Sequence, residues 1–408
     1  MGLLDYYRQF DDMSQAEESE RLMRRRDEER AKAVAHIPMI DLAGTEWPEF
    51  PNSEVMNASI FVARGRINGY PDRHAEKLRR SLATRHGVDP ERIVVGNGAA
   101  ELLQSAALAL LGAGGELVTP WPSYPLYPLM ASRAGGRPVA VDLTEDRVDV
   151  RRTLAAISER TSVLVICNPN DPTGTYMPAD ELATLLGQVP EHVEVLLDEA
   201  FVQFQDVEDE DACLRLTDAF PRLTVFRTFS KAYGLSGLRI GYAVGSRDSA
   251  ELLTRIAPVL GVNALSQAAA DYAVGIADRE IDQRRRLVAA QRRELLEELP
   301  GLGVQAAATQ ANFVWMKVSE ISGADLAARL ERERVLVAPG GPLGAEDHVR
   351  AAVRGPNETS RLLLALRRSL AAERGGDPEE VEEPGDGLTT EEGVNEPGTR
   401  TDEEAADE

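Results

Sequence analysis

From about Ile40 to Leu370, short apolar and β-branched runs alternate with helix-patterned stretches, and this alternation constrains the fold more than any other feature of the chain. The strand-like runs are ERIVVGNG (91–98), GELVTPWP (115–122), TSVLVICNPN (161–170), HVEVLLDEAF (192–201) and RLTVFRTFS (222–230). Between them lie helical patterns such as AELLQSAALALLG (100–112) and ADELATLLGQV (179–189). Strands that alternate with helices build a mainly parallel sheet covered on both faces. In such sheets ligands bind at the carboxyl ends of the strands, which is where the informative polar residues of this chain fall. After Ser249 the strand signal thins, and a long arginine-rich helix is predicted over about 264–298. It leads into a smaller α+β unit ending near Ala371, and no internal repeat is visible.

The flanks differ from this body. Residues 371–408 carry 15 Asp plus Glu against two Arg, so −13 of the formal charge of −23 belongs to the tail. With few large apolar residues it cannot bury enough surface to offset its ordering entropy, and disorder is expected. The first 35 residues read as an arm in which Ser14 and Glu17 form a capping box before a charged helix through Arg24, Arg30 and Lys32. The overall negative charge disfavours a general binder of nucleic acid or of anionic membranes. No run approaches the roughly 18 apolar residues of a membrane span, and Arg24, Arg25 and Arg26 are not followed by the hydrophobic segment of an export signal. Two cysteines, Cys167 and Cys213, make no disulfide framework and suit a reducing compartment, so a cytoplasmic location is expected.

The chain has only four lysines, Lys32, Lys77, Lys231 and Lys317, beside 41 arginines. Lys231 lies in TFSKAYGLSGLRIGY (228–242), just after a strand-like run, with hydroxyls at Thr228 and Ser230 and with Arg239 eight residues on. A lysine in an apolar strand-end setting is costly unless its amine is used or neutralised. A Schiff base with an aldehyde cofactor does both, while the hydroxyls and the forked guanidinium suit a phosphate dianion.

With this segment and four more motifs in register over roughly residues 40–367, the chain resembles pyridoxal-phosphate enzymes of the aspartate aminotransferase fold, in the branch of histidinol-phosphate aminotransferases and threonine-phosphate decarboxylases. The resemblance implies an α/β protein of the fold type I class, with a mainly parallel, seven-stranded type of sheet in a large domain and a smaller α+β domain. With the arm and tail read from composition, the boundaries expected are 1–36 for a helical arm, 37–69 for the N-terminal part of the small domain, 70–255 for the large cofactor-binding domain, 256–370 for the small C-terminal domain and 371–408 for the acidic disordered tail. GNGAAE (96–101) is a strand-to-helix turn whose amides at Gly98, Ala99 and Ala100 would face a phosphate. TPWPSY (119–124) supplies Tyr124 to stack on the pyridine ring. LLDEAF (196–201) supplies Asp198 to pair with the pyridine nitrogen. NPNDPTG (168–174) is the loop that bonds the cofactor's phenolic oxygen, but Asp171 stands where the family usually has Asn, so Asn170 or a rearranged loop is expected to supply the amide. Phe201 replaces a Tyr that serves the same oxygen.

HVRAAVRG (348–355) supplies Arg350 for the substrate's α-carboxylate. LAGTEWPEFP (42–51) occupies the place of the substrate-facing loop, with Gly44 expected against the substrate and with Glu46 and Trp47 as candidates for shaping the pocket. INGYPD (67–72) places Tyr70 to reach the phosphate in a neighbouring subunit, which implies a homodimer with shared active sites. The function implied is transfer of an amino group between an L-amino acid and a 2-oxo acid through Lys231, which is also the general base, with pyridoxal 5'-phosphate as cofactor and no metal. Decarboxylation of a phosphorylated amino acid is the alternative, motivated by Phe201. A non-catalytic regulator would need a DNA-binding module that the short arm and acidic tail do not provide.

Overall fold

The computed structural model describes residues 21–22, 24–25 and 36–371, so the expected arm lies almost wholly, and the tail beyond Ala371 entirely, outside the described residues. A two-residue strand β1 (Ile40–Asp41) comes first, followed by β2 (Ile93–Gly96), β3 (Glu116–Trp121), β4 (Arg137–Asp142), β5 (Thr161–Cys167), β6 (Glu194–Asp198), β7 (Leu223–Thr228) and β8 (Gly241–Val244). β2 to β8 form a seven-stranded sheet in the order β2-β8-β7-β6-β5-β3-β4. β8 runs antiparallel to both its neighbours, and the other pairs are parallel.

The strands at the centre of the sheet are buried on both faces, which is why they appear in the sequence as continuous rather than alternating apolar runs. Val163, Leu164, Val165 and Ile166 of β5 and Leu196 and Leu197 of β6 are fully buried. The helix Ala99–Leu110 covers one face with Leu102, Leu103, Ala106 and Ala107. On the other face the helix Ala179–Leu186 contributes Leu182, Leu185 and Leu186.

Pairing register brings the strand ends together. Cys167 pairs with Asp198, Asp198 with Phe226, and Thr228 with Gly241. Because β8 is antiparallel, its first residue, Gly241, lies beside the last residues of β7 and of β2, pairing with both Thr228 and Gly96. The turn after β2 and the loop after β7 therefore open on the same rim. Gly241 is packed so closely there that an added Cβ would lie 2.6 Å from Ala99 N and 2.8 Å from Arg227 O.

The second unit contains β9 (Val304–Ala306), β10 (Phe313–Val318), β11 (Val335–Leu336), β12 (Ala338–Pro339) and β13 (His348–Ala352). Four of these form an antiparallel sheet in the order β12-β13-β10-β9, while β11 pairs in parallel with β1, and Ala352 N donates to Leu42 O. The single helix predicted over about 264–298 is in fact two, Ala264–Ile276 and Asp278–Glu298, jointed at Ala277. Gly275 weakens the helix locally, and Asp278 with Glu280 favours a new start through the helix dipole. The joint lets the first helix bury Ala269, Ala270 and Ala273 while the second buries Val288 and Leu295. Among the described residues no helix is long and apolar enough to cross a membrane.

Gly241→Ala should destabilise the protein by about 2 kcal/mol in urea unfolding, because the atoms it meets are backbone and cannot swing away. Gly112→Ala, which meets nothing within 4 Å, should leave the midpoint unchanged.

Candidate active site

A cavity of about 230 Å³ opens on the rim where β5, β6 and β7 end, and its wall includes Tyr124, Cys167, Asp171, Asp198, Phe201 and Lys231. Lys231 is brought into it by a tight turn after β7, in which Gly234 N donates to Lys231 O and Leu235 N to Phe229 O. Its Nζ donates to Thr45 Oγ1 at 2.6 Å and lies 4.9 Å from the centre of the Phe201 ring. Burial lowers the lysine's pKa, with the charge of Asp171 opposing and that of Arg350 adding to the fall. The amine thus has a larger neutral, nucleophilic fraction near neutral pH than a surface lysine.

One side of the cavity is made for an anion. Ala99 and Ala100 line it at the N-terminus of a 12-residue helix, beside Thr228, Ser230, Ser236 and Arg239. Arg239 Nη1 donates to Ser230 Oγ at 3.3 Å and to Ser236 O at 3.0 Å, and no carboxylate pairs with it among the described residues. Gly98 is required at the turn, for its φ is +92° and a Cβ there would lie 2.6 Å from Arg239 Nη2. Of the three amides expected to be free, that of Gly98 is used, donating to Gly96 O at 2.8 Å. The site therefore rests on Ala99 and Ala100 rather than on all three. Helix dipole, unpaired guanidinium and hydroxyls together match a phosphate dianion.

Asp198 ends β6 on the cavity floor. Its Oδ2 accepts from Tyr127 OH at 2.9 Å and its Oδ1 from Ala200 N at 3.1 Å. Burial outweighs these bonds and pushes the carboxyl up to about 6. No cation lies within ion-pair distance of it among the described residues, so it is suited to a protonated ring nitrogen. Tyr124 stands at the wall with its ring edge-on to Tyr127, 5.8 Å between centres. A flat ring carrying a phosphate at one end and a basic nitrogen at the other fits this set of groups.

At the opposite wall the outcome differs from expectation. Asn170 does not line the cavity: its Nδ2 donates to Pro122 O at 3.1 Å and to Thr173 Oγ1 at 3.0 Å, and its Oδ1 accepts from Ser123 Oγ at 2.7 Å. With all its polar atoms spent on Pro122, Ser123 and Thr173, it has no amide left for a cofactor oxygen. Asp171 is the residue that faces inward, and it is ion-paired with Arg350. Arg350, on β13, also donates from Nη2 to Ala43 O at 3.3 Å and lies over the Phe313 ring at 5.4 Å. Gly44 does not contribute to the cavity wall; the space its Cβ would take is held by the carboxylate of Glu46, which does. Trp47 is buried in the core against Phe204 and under the Arg284 guanidinium rather than in the cavity. Tyr70 is 90% exposed and lies in a separate groove with Phe61 and Tyr272.

Thr45, Tyr127 and Ser236 were not found by sequence reasoning. Ser236 lies within the lysine segment and could have been read as a further hydroxyl, whereas the partners of Thr45 and Tyr127 are 186 and 71 residues away.

Comparison with known proteins agrees with this geometry. The family described as aminotransferase class I and II matches residues 37–366. An aromatic amino acid aminotransferase of Corynebacterium jeikeium is 38% identical over 339 residues, covering 82% of this chain and 89% of its own. A histidinol-phosphate aminotransferase of Cupriavidus pinatubonensis is 36% identical over 81% of this chain and 88% of its own. Among solved structures, a histidinol-phosphate aminotransferase of Sinorhizobium meliloti in complex with pyridoxal-5'-phosphate superposes with a TM-score of 0.73 at 25% identity, covering 85% of this chain and 95% of that one.

The raised pKa of Asp198 gives a sign to test. The folded state holds this proton more tightly than the unfolded chain, so stability falls as pH rises from about 4 to about 6 and stays lost above, by up to about 3 kcal/mol. Asp198→Asn should therefore raise the melting temperature of protein freed of small molecules at pH 8, with a smaller gain at pH 5.

Proposed function

Since the chain belongs to the class I and II aminotransferases and so moves amino groups between amino acids and 2-oxo acids with pyridoxal 5'-phosphate, we propose that Lys231 is its covalent anchor and proton carrier. The observation that carries this reading is a half-buried lysine with a lowered pKa, set between an unpaired anion site and an unneutralised buried carboxylate. When bound, the cofactor supplies an aldehyde that condenses with amines and a ring that draws in the electrons released at the substrate's Cα. Ala99 and Ala100 amides, Thr228, Ser230 and Arg239 would hold its phosphate, Asp198 its ring nitrogen and Tyr124 its face. Tyr127 OH and Ala200 N hold the Asp198 carboxylate in place. Lys231 Nζ, when not bonded to the cofactor, would accept the proton from the substrate's Cα. Thr45 Oγ1 fixes where that nitrogen sits beforehand. Arg350 would take the substrate carboxylate.

The decarboxylase reading is not favoured. The relatives matched over most of the chain are named as aminotransferases, and Phe201 is otherwise accounted for, packing edge-on to Phe313 at 5.1 Å and against Lys231 Nζ. For the amino donor we propose an amino acid with a planar side chain. The names of the relatives support it, as does Phe201 in the cavity wall.

We further propose a homodimer in which Tyr70 completes the partner's site. Phe61, Ile67 and Tyr70 are 80%, 72% and 90% exposed, and Val259 and Leu260 lie in the loop that packs on Arg73 through Gly261. An apolar region of this kind on a soluble domain marks an association surface. A cytoplasmic setting is proposed on the two free, buried thiols of Cys167 and Cys213.

Lys231→Ala should lower amino transfer by roughly three orders of magnitude or more. Borohydride treatment should add the cofactor's mass to the Lys231 peptide of the wild type, and attachment elsewhere would refute the assignment. Shared sites predict complementation: Tyr70→Ala and Lys231→Ala chains, each inactive alone, should recover about a quarter of wild-type activity when refolded together, since half the dimers carry one intact site.

A further inference from the structure

We propose that Asp171 is a specificity-determining residue that serves as an internal counter-ion to Arg350, so that a substrate's carboxylate binds Arg350 only by displacing it. The proposal rests on the reading of Arg350 as the carboxylate site. Three observations carry it. Asp171, 5% exposed, is ion-paired with Arg350, whose side chain is 11% exposed, and Arg350 has no other carboxylate partner among the described residues. Asp171 is part of the cavity wall whereas Arg350 is not, so the carboxylate stands where an incoming acid would have to reach. The fork of Arg350 is not otherwise saturated: Nη2 makes one 3.3 Å bond to Ala43 O, and the buried Nε has no partner.

A second carboxylate at this guanidinium would face Asp171 at close range in a poorly hydrated site, where like charges repel strongly. The incoming acid must therefore replace the ion pair rather than add to it. Glu46, in the same wall, adds a second negative charge. An α-carboxylate is thus admitted at reduced affinity, and ligands with a neutral group at that position are not penalised. Once displaced, the Asp171 carboxylate still faces Lys231, on which it acts more strongly than any other charge. Asn at this position would fill the same space without the charge.

The test is calorimetric binding to the holoenzyme of 3-phenylpropionate, an acid with no amine to react, against 3-phenylpropanamide, its neutral counterpart. Asp171→Asn should tighten the acid roughly tenfold or more and leave the amide within about twofold, as expected for loss of a competing charged hydrogen bond. Asp171→Ser, which also removes the charge, replaces it if the Asn variant does not accumulate as folded protein. Unchanged or weaker binding of the acid, or equal gains for acid and amide, would overturn the proposal. Arg350→Gln separates it from its premise: this variant should lose affinity for the acid. If Arg350→Gln binds the acid as the wild type does, the assignment of Arg350 fails, and the proposal fails with it. If only Asp171→Asn has no effect, the assignment stands and the counter-ion role falls.

Discussion

A carboxylate left without a cation in the interior is the constraint on which the site depends. Asp198 ends a buried strand and accepts two hydrogen bonds, but burial still favours its neutral form. The next residue shows that this is not a general failure of pairing. Glu199 is also fully buried, yet it meets Arg227 at 2.8 Å, and that guanidinium is further held by Asp211 at 2.6 Å. Successive strand-end residues thus point to opposite sides, one to an arginine partner, although burial raises its carboxyl too, to about 7, and one into the cavity. The chain neutralises the charge that no ligand can reach and leaves the reachable one open. Only a well-packed surround can hold such a group, because isolated buried charge is expensive and is tolerated where the neighbouring structure leaves it no alternative. The apolar residues 163–166 of β5 and 195–197 of β6 provide that surround.

Glu46 apart, the cavity wall belongs to the unit of the seven-stranded sheet, yet it is tied to the second unit. Its floor comes from the seven-stranded sheet, but Thr45, which positions the lysine, is anchored through its carbonyl by Asn312 Nδ2 at 3.0 Å, next to β10. Gly174, in the loop of Asp171, has its carbonyl bonded by Gln310 N at 2.6 Å. The Asp171–Arg350 pair is a third tie between the two units. Any shift of one sheet relative to the other therefore moves the lysine's hydrogen-bond partner and the carboxylate site together.

How much of this could be read from the sequence follows from the physics of each part. The central strands were legible because burial on both faces makes them continuous apolar runs; Lys231 and Arg239 drew notice through the hydroxyls around them, and Asp198 through the family resemblance of LLDEAF, and all three line one cavity. The small-unit strands were not, since β11 and β12 are two residues long and carry no period. The joint at Ala277 hid inside an unbroken helical pattern. At Asn170 and Asp171 the residue types were informative but their orientation was not. Which of two neighbours faces inward was decided by bonds to Ser123, Pro122 and Thr173 within the folded loops. Thr45 and Tyr127 meet their partners only through tertiary contact, which local pattern does not encode.

The lone antiparallel strand carries a consequence for how this protein can vary. Because β8 returns beside β7, the amine of Lys231 and the guanidinium of Arg239 are separated by a single short connection whose two ends are clamped in one hydrogen-bonded ladder, with Phe229 N bonded to Ile240 O at its base. The spacing of the two cations is therefore set by covalent chain length rather than by the packing of independent elements. Such a segment behaves as an indivisible cassette. Drift in the surrounding helices leaves the spacing intact, whereas one inserted or deleted residue between 231 and 239 would put the two groups out of step.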